Sequence, residues 1–211
     1  KTGGLADVAG SLPPCLAEKG HDVRVALPLY AGIGEHWRSQ MTYLCSFHVN
    51  VAWRTSYCGV FELKRGDVTY YFIDNEYYFR RSGLYGHYDD GERFTFFCRA
   101  VLELPAQLDW SPDILHCNDW QCALAPVYLL GARYHVPQLA HTRSVFTIHN
   151  IEYQGRYGHS ILSDVIGLDD SYFNEDMLAY YGDVNLMKGA IYASDYVNTV
   201  SPTYAHELQY T

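Results

Sequence analysis

The chain has 211 residues, 48% of them hydrophobic, which is enough to bury a sizeable core in one large or two small domains. Its formal charge of −9, with no run of Lys or Arg, argues against a nucleic-acid surface, because phosphate neutralisation needs clustered cations. No secretory signal and no apolar run of spanning length appears in these residues, and a targeting segment ahead of Lys1 stays open.

In chain order, apolar residues recur at helical spacing from Leu5 through Val8, Ala9, Leu12 and Leu16, and Gly20 supplies the stop. Pro13 and Pro14 fall inside that stretch and predict a break or kink. "HDVRVALPLY" alternates as a strand, and "TYLCSFHVNVAW", "TSYCGVFELK" and "VTYYFIDN" are β-branched and aromatic strands separated by turns, some forming a hairpin. "ERFTFFCRAVLELPAQL" predicts a helix. After it come "PDILHCND" as a short strand, "WQCALAPVYLLGARY" as a helix and "RSVFTIHN" as a strand. "NLMKGAIYASD" then reads as a helix, "YVNTVS" as a strand and "PTYAHELQ" as the start of a last helix. This alternation predicts an α/β fold, a Rossmann-like parallel sheet with helices on both faces. Residues 151–173 are too long for a plain connection and should be functional or hold short helices.

Six cysteines are scattered and never form C-x-x-C, which fits reduced thiols rather than a disulfide framework or zinc site, although His116 lies near Cys117 and Cys122. Aromatic residues are abundant, with twenty Tyr, nine Phe and four Trp. They serve as core and gap filling or, alternatively, as stacking platforms for sugars and bases.

Ligands of such folds sit beyond the carboxyl ends of the strands. That rule selects residues 1–4, 116–120, 149–155 and 201–203. Gly3 and Gly4 let backbone N–H groups approach an anion at a helix start, and Lys1 adds a charge. Together they describe a pyrophosphate clamp, or else a glycine turn beside a solvated lysine. Asp119 either caps the helix that follows or binds a hydroxyl-rich ligand. His149 and Asn150 end a strand as a donor/acceptor pair suited to sugar hydroxyls, and Asp7 lies on the first helical turn as a cap or a cleft residue.

Four segments, "KTGGLADVAGSLPPCLAEKGHDVRVALPLY", "HCNDWQCALAPVYLL", "FTIHNIEYQGRYG" and "YYGDVNLMKGAIYASDYVNTVSPTYAHEL", resemble in order the N-terminal half of bacterial glycogen synthases and plant starch synthases. The resemblance implies a retaining glycosyltransferase of the B-type fold, moving glucose from ADP-glucose to the non-reducing end of an α-1,4-glucan. It implies no cofactor and no metal, no nucleic-acid or membrane partner, and a cytoplasmic (bacterial) or plastid-stroma location. By the same resemblance Lys1, Gly3 and Gly4 bind the donor phosphates, with Asn150 beside them in the ADP-glucose set. His149 contacts the transferred glucose and Asp119 lines the cleft near sugar hydroxyls, while Asp7 and Tyr85 carry over as acceptor-side or cleft residues. It further implies that residues 1–211 form the N-terminal catalytic domain without its first strand. The second domain would lie beyond Thr211, and this piece alone would not turn over. Two alternatives stay open: a same-fold transferase with another donor or acceptor, and a non-catalytic glucan-binding or regulatory domain.

Overall fold

The structure is a computed structural model that describes residues 3–210. It divides into two units, Lys1–Val49 with Ser56–Arg93, and Asn50–Thr55 with Phe94–Thr211.

The first unit holds α1 (Gly3–Ala17), β1 (Val23–Pro28), α2 (Glu35–Arg38), most of β2 (Thr42–Val51) and of β3 (Arg54–Arg65), β4 (Val68–Asp74), α3 (Glu76–Phe79) and the start of α4 (Asp90–Gln107). Its sheet runs in the order β1-β4-β3-β2. β1 pairs parallel to β4 from Val23↔Val68 to Pro28↔Ile73, whereas β3 pairs antiparallel to β4. The sheet is therefore mixed rather than purely parallel. A two-residue connection at 66–67 joins β3 to β4, and so short a link can only join antiparallel neighbours.

α1 continues through Pro13 and Pro14 instead of breaking. Each proline removes one N–H from the helical ladder. α1 packs against β1 and β4, and such tertiary packing commonly outweighs local propensity. The core of this unit includes Val60, Phe72, Ile73, Tyr78 and Phe79. Arg93, fully buried, ties the start of α4 to α3: its Nη1 donates to Asp90 Oδ1 at 2.5 Å and its Nε to the Tyr78 carbonyl at 2.7 Å.

The second unit contains the rest of α4, then β5 (Ile114–Asn118), α5 (Leu124–His135), β6 (Arg143–Ile148), β7 (Arg156–Gly158), β8 (Ala179–Tyr180), β9 (Asp183–Asn185), α6 (Leu186–Ala193), β10 (Tyr196–Thr199) and α7 (Pro202–Tyr210). β10, β6 and β5 form an all-parallel sheet in that order. Asn118, Thr147 and Asn198 share one register row near its carboxyl end. Helices alternate with these strands as the sequence predicts. The irregular stretch 151–173 does hold short elements: β7, a π turn at Leu162–Ile166 and a 3-10 turn at Asp170–Tyr172. The small antiparallel ribbon β7-β9-β8 has no counterpart in the sequence reading.

The first half of α5, Leu124–Leu129, is wholly buried and packs against α6. Gly189 permits that approach, because a Cβ there would lie 2.5 Å from Leu178 Cδ2 and 3.3 Å from Val127 Cγ2. Asp195 fastens the opposite edge of the sheet from the register row. Its carboxylate accepts from Arg133 at 2.5 Å, Arg143 at 2.8 Å and the Ser144 backbone N–H at 2.8 Å. Burial pushes this carboxyl up, but the Ser144, Arg143 and Arg133 donors outweigh burial and hold it well below the usual carboxylate range.

All six cysteines are free thiols. Burial pushes Cys122 up to about 11 and raises Cys98 and Cys117 well above the ordinary thiol value, so none of the three is a thiolate at neutral pH. Among the described residues no helix is long and apolar enough to cross a membrane.

Candidate functional site

The parallel sheet of the second unit places two loops side by side, Asp119–Trp120 after β5 and His149–Asn150 after β6. Asp119 follows its strand with φ 56° and ψ −178°. For a residue with a Cβ this region costs roughly 1–3 kcal/mol, and such strain persists only where surrounding contacts enforce it. The enforcing contacts are visible. The Asp119 N–H donates to the Thr147 carbonyl at 3.0 Å, and its Oδ1 accepts from the backbone N–H of His149 at 2.7 Å and of Asn150 at 3.3 Å.

This geometry removes one of the two roles open to Asp119, the helix cap. Its side chain makes no capping bond to the helical turn that follows. Instead the carboxylate crosses to the neighbouring strand end and organises the His149–Asn150 backbone. A charged acceptor makes these bonds stronger than neutral ones.

His149 is oriented at its ring as well. Nε2 lies 2.9 Å from Asn118 Oδ1, so with that oxygen accepting, Nε2 carries the proton and Nδ1 is left as an acceptor. Asn150 Oδ1 accepts from the Glu152 N–H at 2.9 Å in a local turn, which leaves its NH2 as the group available to a ligand. The Ile151 N–H donates to the Tyr204 hydroxyl at 3.0 Å, so α7 steadies the same loop. Asn150 and His149 thus offer one donor and one acceptor, a pairing that suits a sugar hydroxyl.

Beneath this pair a chain of hydrogen bonds crosses the sheet. Thr147 Oγ1 donates to Asn198 Oδ1 at 2.6 Å and sits 2.6 Å from His116 Nε2, which therefore donates to it. Loss of water around the ring, followed by the nearby His149, pulls His116 below the ordinary histidine range, so it is neutral at pH 7. Asn118 fell inside the selected stretch 116–120 without being singled out, and Thr147, Asn198 and Tyr204 escaped the sequence reading. The signal for Asn118 was present: it sits two residues after His116 on a strand, hence on the same face, and directly before Asp119.

In the first unit Gly3 and Gly4 open α1, and a Cβ at Gly4 would meet nothing within 4 Å. Packing within the protein therefore does not require glycine at that position. Asp7 is exposed on α1, its carbonyl accepting from Ser11 Oγ, and Tyr85 is exposed in the loop before α4. Lys1 lies outside the described residues.

Parallel strands whose carboxyl ends gather preorganised polar loops define an α/β ligand-binding domain. The starch synthase catalytic domain model matches residues 1–211. The chain belongs to the starch synthase catalytic domain family. It is 51% identical to a glycogen synthase of Geobacillus thermodenitrificans and 47% identical to one of Clostridium novyi, covering 99% of this chain and 43% and 44% of those proteins. Among solved structures it resembles the catalytic domain of starch synthase IV from Arabidopsis thaliana bound to ADP and acarbose, at 34% identity and a TM-score of 0.88, over 99% of this chain and 44% of that one. The chain thus spans less than half the length of the relatives it matches.

Proposed function

We propose that the complete protein transfers glucose from ADP-glucose to the non-reducing end of an α-1,4-glucan with retention, as a glycogen or starch synthase. Family membership supports the reaction class, and the ADP and acarbose held by the Arabidopsis neighbour support a nucleotide donor and a glucan-like acceptor. The observation that carries the reading is the Asp119 carboxylate bound to the backbone N–H groups of His149 and Asn150. It fixes a hydroxyl-binding pair at the carboxyl edge of the parallel sheet before any ligand arrives.

In this reading His149 contacts the transferred glucose and Asn150 a neighbouring hydroxyl, while Asp119 positions both. Lys1 and the Gly3 and Gly4 amides bind the diphosphate, whose negative charge grows as the glucose–phosphate bond breaks. Asp7 and Tyr85 belong to the acceptor side or the cleft.

The test is incorporation of labelled glucose into glycogen by the complete protein, with ADP-glucose and UDP-glucose compared at equal concentration. The reading predicts transfer with ADP-glucose preferred, and a strong loss of donor use in Lys1→Gln. UDP-glucose preference would reassign the donor, and glucan binding without transfer would indicate a binding domain.

A further inference from the structure

The sheet of the first unit ends on β2, the last strand in the order β1-β4-β3-β2. Alternate residues of a strand turn their N–H and C=O groups to opposite sides, so half of those on β2 face β3 and the other half face outward. Among the described residues, the backbone of residues 42–48 makes no hydrogen bond to any turn, loop or helix. The outward half is a ladder without a second rail.

Natural sheets guard such an edge with lysine, with proline or by keeping the strand short. β2 does none of these. It runs for ten residues, TYLCSFHVNV, without Asp, Glu, Lys, Arg, Pro or Gly. Tyr43 and Leu44 are 52% and 37% exposed on it. An edge of this kind takes another strand, because only a strand satisfies every outward group at once.

Charge and symmetry name that strand. A second copy of the chain carries the same formal charge of −9 and is repelled wherever carboxylates meet, but residues 42–48 bring no carboxylate to a contact. The segment is also its own complement. A twofold axis perpendicular to the sheet reverses the strand and keeps its faces, so residues opposite each other differ by an even number in sequence. Exposed and half-buried positions run from Thr42 to His48 and stop at the buried Val49, which puts the midpoint at Cys45. Centred there, Tyr43 of one copy lies opposite Phe47 of the other, Leu44 opposite Ser46 and Thr42 opposite His48, while the two Cys45 residues face each other. Each side of the axis then holds an aromatic cross-strand pair, a favourable contact in antiparallel sheets.

We propose that β2 is a self-association surface, on which two copies of this chain pair antiparallel across a twofold axis at Cys45 and join their sheets into one. The proposal is independent of the transfer reaction and adds an assembly to it.

The experiment uses the complete protein. Sedimentation velocity over a wide concentration range should show a dimer that dissociates on dilution. Leu44→Lys combined with Ser46→Lys sets like charges directly opposite each other and should abolish the dimer, with the circular dichroism spectrum unchanged. In a Cys15→Ser background, which removes the exposed thiol, diamide should join the two Cys45 sulfurs in one disulfide and take up two electrons and two protons. Residues directly opposite in antiparallel strands have Cα atoms roughly 4.5–5.5 Å apart, within the roughly 4.4–6.8 Å that a disulfide spans. Cys45→Ser should remove the covalent dimer and keep the reversible one. A monomer at every concentration, whatever else covers the edge, would overturn the proposal, as would a dimer that survives the folded double-lysine variant. A dimer that is lost in that variant but never crosslinks through Cys45 would overturn the register. Should the double variant fail to fold, amide hydrogen exchange of the wild type decides: protection of residues 42–48 should rise with concentration, and exchange independent of concentration would overturn the proposal.

Discussion

Asp119 carries two costs at once, a backbone conformation suited to glycine and a carboxylate withdrawn from helix capping, and both are explained by its grip on the next loop. The two costs separate by substitution. Asp119→Gly relieves the strain of roughly 1–3 kcal/mol and loses the charged acceptor, whereas Asp119→Ala keeps the strain and loses the acceptor. Both variants should lose most transfer activity, while Asp119→Gly melts at a higher temperature than Asp119→Ala; the reverse order in a thermal melt would refute the strain argument. Asn118 offers a second handle. Asn118→Ala removes the Oδ1 that lies 2.9 Å from His149 Nε2 and should lower transfer activity while leaving the fold intact; unchanged activity would show that this contact does not orient the ring. At this scale sequence supplied the identities of Asp119, His149 and Asn150 but not their wiring. The bond from Asp119 joins residues thirty positions apart, and no local pattern distinguishes it from an N-cap.

Among the elements, strands and helices with strong periodicity were legible, and the exceptions have physical causes. α1 runs through two prolines because packing on β1 and β4 outweighs local propensity. The ribbon β7-β9-β8 is built from strands of two or three residues, too short to show alternation. The Asp195 clamp was invisible because its partners come from α5 and β6. Asp195→Ala should cost about 2 kcal/mol, the scale of hydrogen bonds to a charged group, read as a lower denaturation midpoint. Arg143→Ala should cost less, since Arg143 is 69% exposed at its side chain. The pH dependence follows from the sign of the shift. A carboxyl depressed in the folded state contributes its stability above its unfolded value near 3.8 and loses it as pH falls through the lower folded value. The difference between wild type and Asp195→Ala should therefore be full at neutral pH and shrink below about pH 4. Gly189→Ala pushes a Cβ against Leu178 and should destabilise by roughly 1–3 kcal/mol through overpacking.

For the whole molecule, the family was legible from four motifs in order, and the α/β class from alternation alone. A parallel sheet and, between Thr42 and Asp74, hairpin strands were expected, and the described residues hold both: a mixed four-stranded sheet in which β3 runs antiparallel to β4, and an all-parallel three-stranded sheet. The chemistry proposed for the complete protein depends on the loops after β5 and β6 meeting the sugar of the donor. A crystal structure of the complete protein with intact ADP-glucose tests this most directly. The account predicts glucose hydroxyls within hydrogen-bond distance of the His149 ring and the Asn150 amide, with Asp119 still bound to their backbone. Glucose seated away from both residues, with that loop unchanged, would contradict it.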